Sequence, residues 1–283
     1  MVFGANYTVP KMIKDTVDKY PEVYAQYKRL PNNEFEPITY RDMFQYGMDF
    51  GAALISIGVK KEDKIGLISD NRAEWQQADI GIMAIGAIDV PRGCDATIID
   101  LEKILSITEA QIVIAENNSQ VRKILSLKDK LPALKTFICF ENDVKPETAD
   151  LAKQNGVEII YFSEMLKIGQ KWRIENKGKV EELMEEGKAD DVATIIFTSG
   201  TTGDPKGVVL THNNFLAQLD ELPERIFVNP GDKALSVLPI WHVFEREVEY
   251  VIMIQAATIC YSKPVGSILL ADFKKLNPKI FNF

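Results

Sequence analysis

The sequence predicts an α/β fold in which doubly wound, mostly parallel sheets carry flanking helices. Two observations support this prediction. Short apolar runs alternate along the chain with segments of helical periodicity, an order that is typical of parallel strands joined by helices. The 283 residues are also 46% hydrophobic, which is enough to bury a substantial core in one or two domains.

The first predicted elements follow a capping signal. Thr39–Asp42 has the form of a capping box, and apolar residues recur after it at helical spacing until Gly58 ends the helix. Lys64–Ser69 is typical of a buried strand, and Ala73–Gly86 of a helix with one apolar face. We expect that face to carry Trp75, Ala78, Ile82 and Ile85.

The alternation of strands and helices then continues to residue 162. The predicted segments are Asp89–Arg92, Ile98–Glu109, Gln111–Ala115, Ser119–Leu127, Thr136–Phe140, Glu147–Asn155 and Val157–Phe162. Ser163–Lys188 is strongly charged, which is typical of a solvated helix. We expect it to connect a first α/β lobe, residues 1–188, to the start of a second lobe, residues 189–283.

The second lobe is predicted to resume the same pattern. We expect helices at His212–Ile226, Val243–Ala257 and Ser267–Leu276, and strands at Lys233–Leu238 and Thr258–Tyr261. The last residues, Lys279–Phe283, have the composition of the beginning of another buried strand.

One loop carries the clearest chemical signal. Thr198–Gly207 places three glycines, four hydroxyls and one lysine directly after the apolar run Ala193–Phe197. Glycines let the backbone N–H groups approach an anion closely, and the hydroxyls and the lysine add further donors and a positive charge. We call Thr198–Gly207 the phosphate loop, although Gly-Asp-Pro-Lys-Gly alone would make an ordinary hairpin turn.

The residues after the phosphate loop distinguish it from a Walker A loop. A Walker A lysine is followed by Ser or Thr at the start of a helix. Here Lys206 is followed by Gly207 and then by Val-Val-Leu-Thr, which predicts a strand. The expected order is therefore strand, loop, strand, and a P-loop kinase or NTPase fits poorly.

Composition and charge exclude several other classes. A net charge of −8 and a pI near 5.0 argue against a broad nucleic-acid surface. Cys94, Cys139 and Cys260 are far apart and odd in number, so no disulfide framework or zinc knuckle is indicated. The longest apolar segments are too short to span a bilayer. We expect a cytoplasmic location, with contact at a membrane surface left open.

These motifs resemble those of a known family. The phosphate loop is similar to that of the adenylate-forming superfamily, and three further segments resemble long-chain fatty acyl-CoA synthetases. They are Val90–Thr97, Thr211–Asn214 and Leu238–Tyr250. The resemblance implies an ATP-dependent ligase that forms an acyl-adenylate and then acyl-CoA, with Mg²⁺ as cofactor and ATP, a long-chain fatty acid and coenzyme A as small-molecule substrates.

The resemblance also implies roles for particular residues. The phosphates of ATP would contact Thr198, Ser199, Gly200, Thr201, Thr202, Gly203, Lys206 and Gly207. Lys206 and His242 would be catalytic. The hydroxyl of Thr198 or Ser199 would approach the metal, and we choose Thr198 as the metal ligand. From position alone, a cap on the following helix is the preferred explanation of His242, and only the resemblance favours the catalytic role.

Other residues near these motifs keep two interpretations. Trp241 and Phe244 could form an apolar wall for a fatty chain or belong to the core. Arg246 could hold an anion or pair with Glu245 or Glu249 on the helix surface. Arg92 and Asp95 could border the acyl channel or form a local ion pair. His212 is expected to have a structural role.

Some family features are absent from these 283 residues. There is no Tyr-Gly-x-Thr-Glu segment, no later Thr-Gly-Asp and no C-terminal lobe, so we expect an incomplete N-terminal domain that turns over poorly without its C-terminal portion. The alternatives are a non-catalytic nucleotide- or acyl-binding module and an adenylating ligase for another carboxylic acid.

Overall fold

The structure is a computed structural model that describes residues 3–198 and 205–281. These residues form two sheets, of seven and five strands. The strands are β1 (Tyr24–Arg29), β2 (Phe35–Thr39), β3 (Lys64–Ile68), β4 (Ile88–Arg92), β5 (Ile112–Ala115), β6 (Thr136–Cys139), β7 (Glu158–Tyr161), β8 (Val192–Thr198), β9 (Lys206–Thr211), β10 (Lys233–Ser236), β11 (Thr258–Tyr261) and β12 (Ile280–Phe281).

The helices alternate with these strands over most of the chain. They are α1 (Val9–Lys19), α2 (Tyr40–Ser56), α3 (Ala73–Ala84), α4 (Ile98–Thr108), α5 (Asn118–Leu125), α6 (Pro146–Gln154), α7 (Phe162–Glu175), α8 (Lys179–Glu186), α9 (His212–Leu219), α10 (Val243–Ile254) and α11 (Gly266–Leu276). The predicted alternation is confirmed, while α1, β1 and β2 were not predicted.

The seven-stranded sheet has the order β7-β6-β5-β3-β4-β8-β9. All its neighbours are parallel except β8 and β9, which form an antiparallel hairpin at one edge. The prediction of a mostly parallel α/β fold is confirmed. Because the strands run the same way, β3, β4, β5 and β8 end at one common edge, and the loops that follow them lie together there.

The five-stranded sheet joins distant parts of the chain. Its order is β12-β10-β11-β1-β2, and β1 pairs in parallel with β11. Strands from both sides of residue 188 therefore contribute to each sheet, since β8 and β9 complete the first sheet and β1 and β2 complete the second. The boundary expected at residue 188 does not coincide with the division between the sheets.

Helix α3 is buried on all sides, which differs from the prediction of a single apolar face. Each of its residues is buried, because α1, α2, α8, β1 and β4 all contact it. The charged segment 163–188 is mostly exposed, as expected of a solvated helix face, although Met165, Gly169, Val180 and Met184 are buried. It contains α7, which packs on α2, and at Gly169 an added Cβ would lie 1.7 Å from the backbone oxygen of Asp49.

One further difference concerns the length of a helix in the second half of the chain. The helix predicted at His212–Ile226 ends at Leu219 and is followed by a 3₁₀ turn, Leu222–Glu224. Pro223 explains the interruption, because a proline disfavours α-helical geometry at the residue before it. In the described parts of the chain, none of the helices has the length and apolar character that crossing a bilayer requires.

Candidate functional site

The phosphate loop begins and ends on the β8–β9 hairpin. Thr198 is the last residue of β8, and its Cα partner across the hairpin is Lys206, the first residue of β9. Both side chains are exposed. The strands predicted before and after the loop are confirmed. Residues 199–204, which include Ser199, Gly200, Thr201, Thr202 and Gly203, lie outside the described residues.

Gly207 has a packing reason to be glycine. It is paired with Phe197 across the hairpin, and an added Cβ would lie 3.0 Å from Ile195 Cγ2 and 3.2 Å from the Phe197 ring. A side chain at this position would therefore press on the hairpin face. Its predicted contact with phosphate stays a prediction.

The hairpin places the start of the phosphate loop at the carboxyl edge of the parallel strands. β8 pairs with β4 through Thr194 and Asp89, so Thr198 and Arg92 end neighbouring strands. Asp70 and Glu116 follow β3 and β5 at the same edge. Ligands of open α/β sheets bind beyond this edge.

A network of polar groups ties these strand ends together. The Asp70 N–H donates to Glu116 Oε2 at 2.8 Å, and the Cys94 N–H donates to Asp70 Oδ1 at 3.1 Å. One oxygen from each carboxylate and the Cys94 sulfur lie within 4.8 Å of one another. Burial and the neighbouring carboxylates raise the pKa of the Cys94 thiol. These three groups therefore link the loops after β3, β4 and β5.

Trp241 closes this edge from the side of the second sheet. Its ring lies 4.6 Å from the Arg92 guanidinium carbon, measured to the ring centroid. An added Cβ on Gly93 would lie 2.2 Å from Trp241 Nε1, so the indole rests on the Gly93 backbone. The alternative of a local ion pair between Arg92 and Asp95 is wrong for the residues that the structure describes. Arg92 Nε is buried and has no hydrogen-bond acceptor within those residues.

His242 occupies the N-cap position of α10. Its Nδ1 accepts a hydrogen bond from the Phe244 N–H at 3.3 Å, and the side chain is exposed. The cap is one of the two roles considered for this residue, and the catalytic role stays a prediction. Phe244 is 57% exposed, so it is not a core residue in the described structure, whereas Trp241 is half-buried.

Arg246 differs most from its predicted environment. It is fully buried, and its guanidinium binds Asp79 and Asp89, while its Nε donates to the Tyr250 hydroxyl at 2.8 Å. Pairing with Glu245 or Glu249 on the helix surface is therefore wrong. The available signal was Asp89, a single charged residue within the apolar run Ala84–Pro91. Burial raises the pKa of Asp79 to about 7, partly offset by Arg246.

His212 has a structural position, as expected. It begins α9, is 2% exposed, and its Nδ1 accepts a hydrogen bond from the Val9 N–H at 3.4 Å. Burial lowers the pKa of His212 to about 4, because the charged form would lose its hydration. The side chain is thus a neutral acceptor that attaches α1 to the hairpin region.

Asn71 was not singled out from the sequence. It lies three residues beyond the end of β3, and its side chain bonds to Ser236, Leu238 and Ile240, directly before Trp241. A lone Asn in a loop carries no distinctive pattern, so only the fold reveals this contact.

Comparisons relate this chain to known proteins. A family model described as AMP-binding enzyme matches residues 13–283. A chloroplastic long-chain-fatty-acid–[acyl-carrier-protein] ligase of Arabidopsis thaliana is 32% identical over 86% of this chain and 33% of its own length. A long-chain-fatty-acid–CoA ligase of Cavia porcellus is 29% identical over 89% of this chain and 36% of its own length.

The fold is also found among solved structures. A Mycobacterium tuberculosis fatty acyl CoA synthetase has a TM-score of 0.75 and 20% identity, covering 97% of this chain and 48% of its own. The chain spans about a third of the length of the two ligases it matches.

Proposed function

The chain belongs to the family of AMP-binding enzymes, and from this premise we propose that it activates a long-chain fatty acid with ATP. The acid's carboxylate oxygen attacks the α-phosphorus and pyrophosphate leaves. A thiol then attacks the acyl carbonyl, AMP leaves, and a thioester remains. One observation carries the proposal: Thr198 and Lys206 face each other across the hairpin at the carboxyl edge of the parallel sheet.

The residues at this edge suit a polyphosphate. Lys206 is an exposed cation at the end of the loop, and the Thr198 hydroxyl is exposed at its start. We assign the Lys206 ammonium to the phosphates that leave and the Thr198 hydroxyl to the metal side of the site. A Mg²⁺ ion bound with the nucleotide would lower the charge on the leaving pyrophosphate. The lysine and the loop N–H groups would stabilise the same charge.

The acyl end of the substrate is assigned to the turn before α10. The half-buried Trp241 and the exposed Phe244 offer apolar surface beside the strand ends. His242 lies between them in sequence, at the N-terminus of a helix, where a negative charge such as a carboxylate is favoured. We therefore propose that the fatty carboxylate approaches from the side of α10 and the phosphates from the side of β8.

Removal of the Lys206 charge tests the phosphate assignment. We expect Lys206→Ala to weaken ATP binding about ten- to hundredfold in calorimetry, since a charge-assisted hydrogen bond contributes about 1.5–3 kcal/mol. Lys171→Ala is the matched control, because Lys171 is an exposed lysine on α7, remote from the loop in the sequence. Equal ATP affinity of the two variants would contradict the assignment.

A second assay addresses the reaction. Pyrophosphate release is measured with ATP, Mg²⁺ and palmitate, then with octanoate and benzoate, and the thioester is followed with coenzyme A and with acyl carrier protein. We expect palmitate to be preferred and coenzyme A to accept the acyl group. Acceptance by carrier protein alone would favour the activity in the name of the Arabidopsis relative. ATP binding without release from any acid would favour a non-catalytic module. The expectation that these 283 residues turn over slowly stays a prediction.

A further inference from the structure

The Asn71 side chain joins the two sheets at the candidate site. Asn71 follows β3 of the seven-stranded sheet, whereas its partners follow or end β10 of the five-stranded sheet. Its Nδ2 donates to Ser236 Oγ at 2.7 Å and to the Leu238 carbonyl at 2.6 Å, and its Oδ1 accepts from the Ile240 N–H at 3.1 Å. Both amide protons and the amide oxygen are therefore engaged by one segment of five residues.

That segment leads directly into the turn that carries the predicted site residues. The His242 N–H donates to the Pro239 carbonyl at 2.9 Å, which closes the turn. Ile240 is fully buried, so its N–H has no water to bond if Asn71 is removed. Trp241 and His242 come next in the chain. Any movement of this turn moves both of them.

The same segment is also held from the helix that follows it. Ser236 Oγ, which accepts from Asn71, donates to Glu249 Oε1 at 2.8 Å. Glu249 is buried on α10, and the Tyr261 hydroxyl on β11 reaches its other oxygen at 3.5 Å. The bonds from Asn71 thus continue into the core of the second sheet.

The loop that carries Asn71 is itself fixed. Its neighbour Asp70 donates its N–H to Glu116 after β5 and accepts the N–H of Cys94 after β4. Asn71 therefore extends from a loop that is bonded to the neighbouring strand ends. A bond from a fixed loop can determine where its partner lies, which a bond between two free loops cannot.

We propose that Asn71 is a positioning residue, which acts through Trp241 and His242 by fixing the Leu238–His242 turn against the seven-stranded sheet. Its effect on catalysis rests on the proposed function, but its effect on the turn does not. The test therefore has a structural arm and a kinetic arm, and the first decides the placement even if the chain proves inactive.

The structural arm uses fluorine NMR of the 283-residue chain labelled with 5-fluorotryptophan. The chain has three tryptophans, and Trp241→Phe identifies the resonance of Trp241. We expect Asn71→Ala to shift or broaden that resonance and to leave those of Trp75 and Trp172 in place. Asn214→Ala is the control, because Asn214 Oδ1 also accepts a backbone N–H, at Thr211, 2.8 Å away, and we expect it to leave Trp241 unchanged.

Hydrogen exchange of the Ile240 amide distinguishes the role of the Asn71 amide oxygen from the role of its amide nitrogen. Asn71→Ala removes the acceptor, and we expect exchange at Ile240 to become about tenfold faster. Asn71→Asp keeps an oxygen for Ile240 but replaces the donors to Ser236 and Leu238, so we expect Ile240 to stay protected while the Trp241 resonance still moves. If Asn71→Ala does not fold, the Trp241 resonance of Asn71→Asp tests the proposal instead. An unchanged Trp241 resonance in the folded variant overturns the proposal.

The kinetic arm measures pyrophosphate release. We expect Asn71→Ala to lower kcat about a hundredfold, the effect of a misplaced reacting group, with the KM for ATP within about twofold. A rise in that KM with unchanged kcat would place Asn71 in nucleotide binding and overturn the positioning role. No release from the unsubstituted chain would count against the proposed activity, while the NMR and exchange results would still decide the role of Asn71.

Discussion

Arg246 binds Asp89 through both ends of its guanidinium, with Nη1 3.1 Å from Oδ2 and Nη2 3.0 Å from Oδ1. Both side chains are fully buried. Arg246 comes from α10 beside the five-stranded sheet and Asp89 from β4 of the seven-stranded sheet. This bidentate pair, with Asp79 as a third member, is therefore an ionic contact between α10 and the seven-stranded sheet.

Loss of the Arg246 charge should destabilise the protein strongly. Arg246→Leu leaves two buried carboxylates without their cation, and we expect a loss of about 3–5 kcal/mol in the free energy of unfolding. Arg41→Leu is the control, because Arg41 pairs with Glu22 where both side chains are more than half exposed, and it should cost less than about 1 kcal/mol. Urea denaturation measures both, and similar losses would contradict the proposed importance of the buried pair.

His212 should make stability depend on pH. Burial lowers its pKa to about 4, whereas an unfolded histidine titrates near 6.5. The unfolded chain therefore binds a proton first, and the free energy of unfolding should fall as pH drops from about 6.5 to 4, by about 3 kcal/mol in total. His212→Asn keeps an acceptor for the Val9 N–H and removes the titration. We expect the difference in unfolding free energy between the two proteins to change with pH over this range. A constant difference would refute the proposed titration of His212.

Gly169 should tolerate no side chain. An added Cβ would lie 1.7 Å from the Asp49 backbone oxygen, where α7 packs on α2. We expect Gly169→Ala to force these helices apart and to cost about 3 kcal/mol of stability. Gly266→Ala is the matched control, since nothing lies within 4 Å of a Cβ at Gly266. Thermal and urea unfolding of the pair test the prediction, which fails if the two variants are equally stable.

Gly93 should influence the acyl end of the site. An added Cβ would lie 2.2 Å from Trp241 Nε1, so Gly93→Ala must displace the indole from the end of β4. On the proposed assignment of Trp241 to the acyl wall, we expect palmitate to bind about tenfold more weakly and ATP to bind as before. Calorimetry with each ligand measures this, and Gly4→Ala, where a Cβ meets no atom within 4 Å, is the control. Weakened ATP binding alone would reverse the assignment.

Local patterns predicted most of the elements of this fold. Alternating apolar runs mark β3 to β7, and the capping signal at Thr39 marks α2, because each depends on residues close in sequence. The hairpin around the phosphate loop was predicted for the same reason, since Lys206 leads into a β-branched run. Each of these patterns predicts whether a segment is a strand or a helix, and the structure confirms those predictions.

Long-range pairing could not be predicted in this way. No local pattern in β1 indicates that its neighbour is β11, and no pattern in α10 indicates that Arg246 faces inward to Asp79 and Asp89. Asn71 is a similar case, because its partners lie in a segment far along the chain. The burial of α3 on all sides also depends on helices from other parts of the chain. The periodicity of the α3 sequence cannot predict those contacts.

The pairing of β1 with β11 has a consequence for synthesis of the chain. Gln26 is paired with Ile259, so β1 leaves the ribosome about 230 residues before its partner, or roughly 10–50 seconds earlier at ordinary rates of translation. During that interval the β1–β2 hairpin has an open edge, and a two-stranded hairpin alone is barely stable in water. We therefore expect the seven-stranded sheet to be largely assembled first and the nascent chain to bind chaperones through residues 24–39 until β11 emerges.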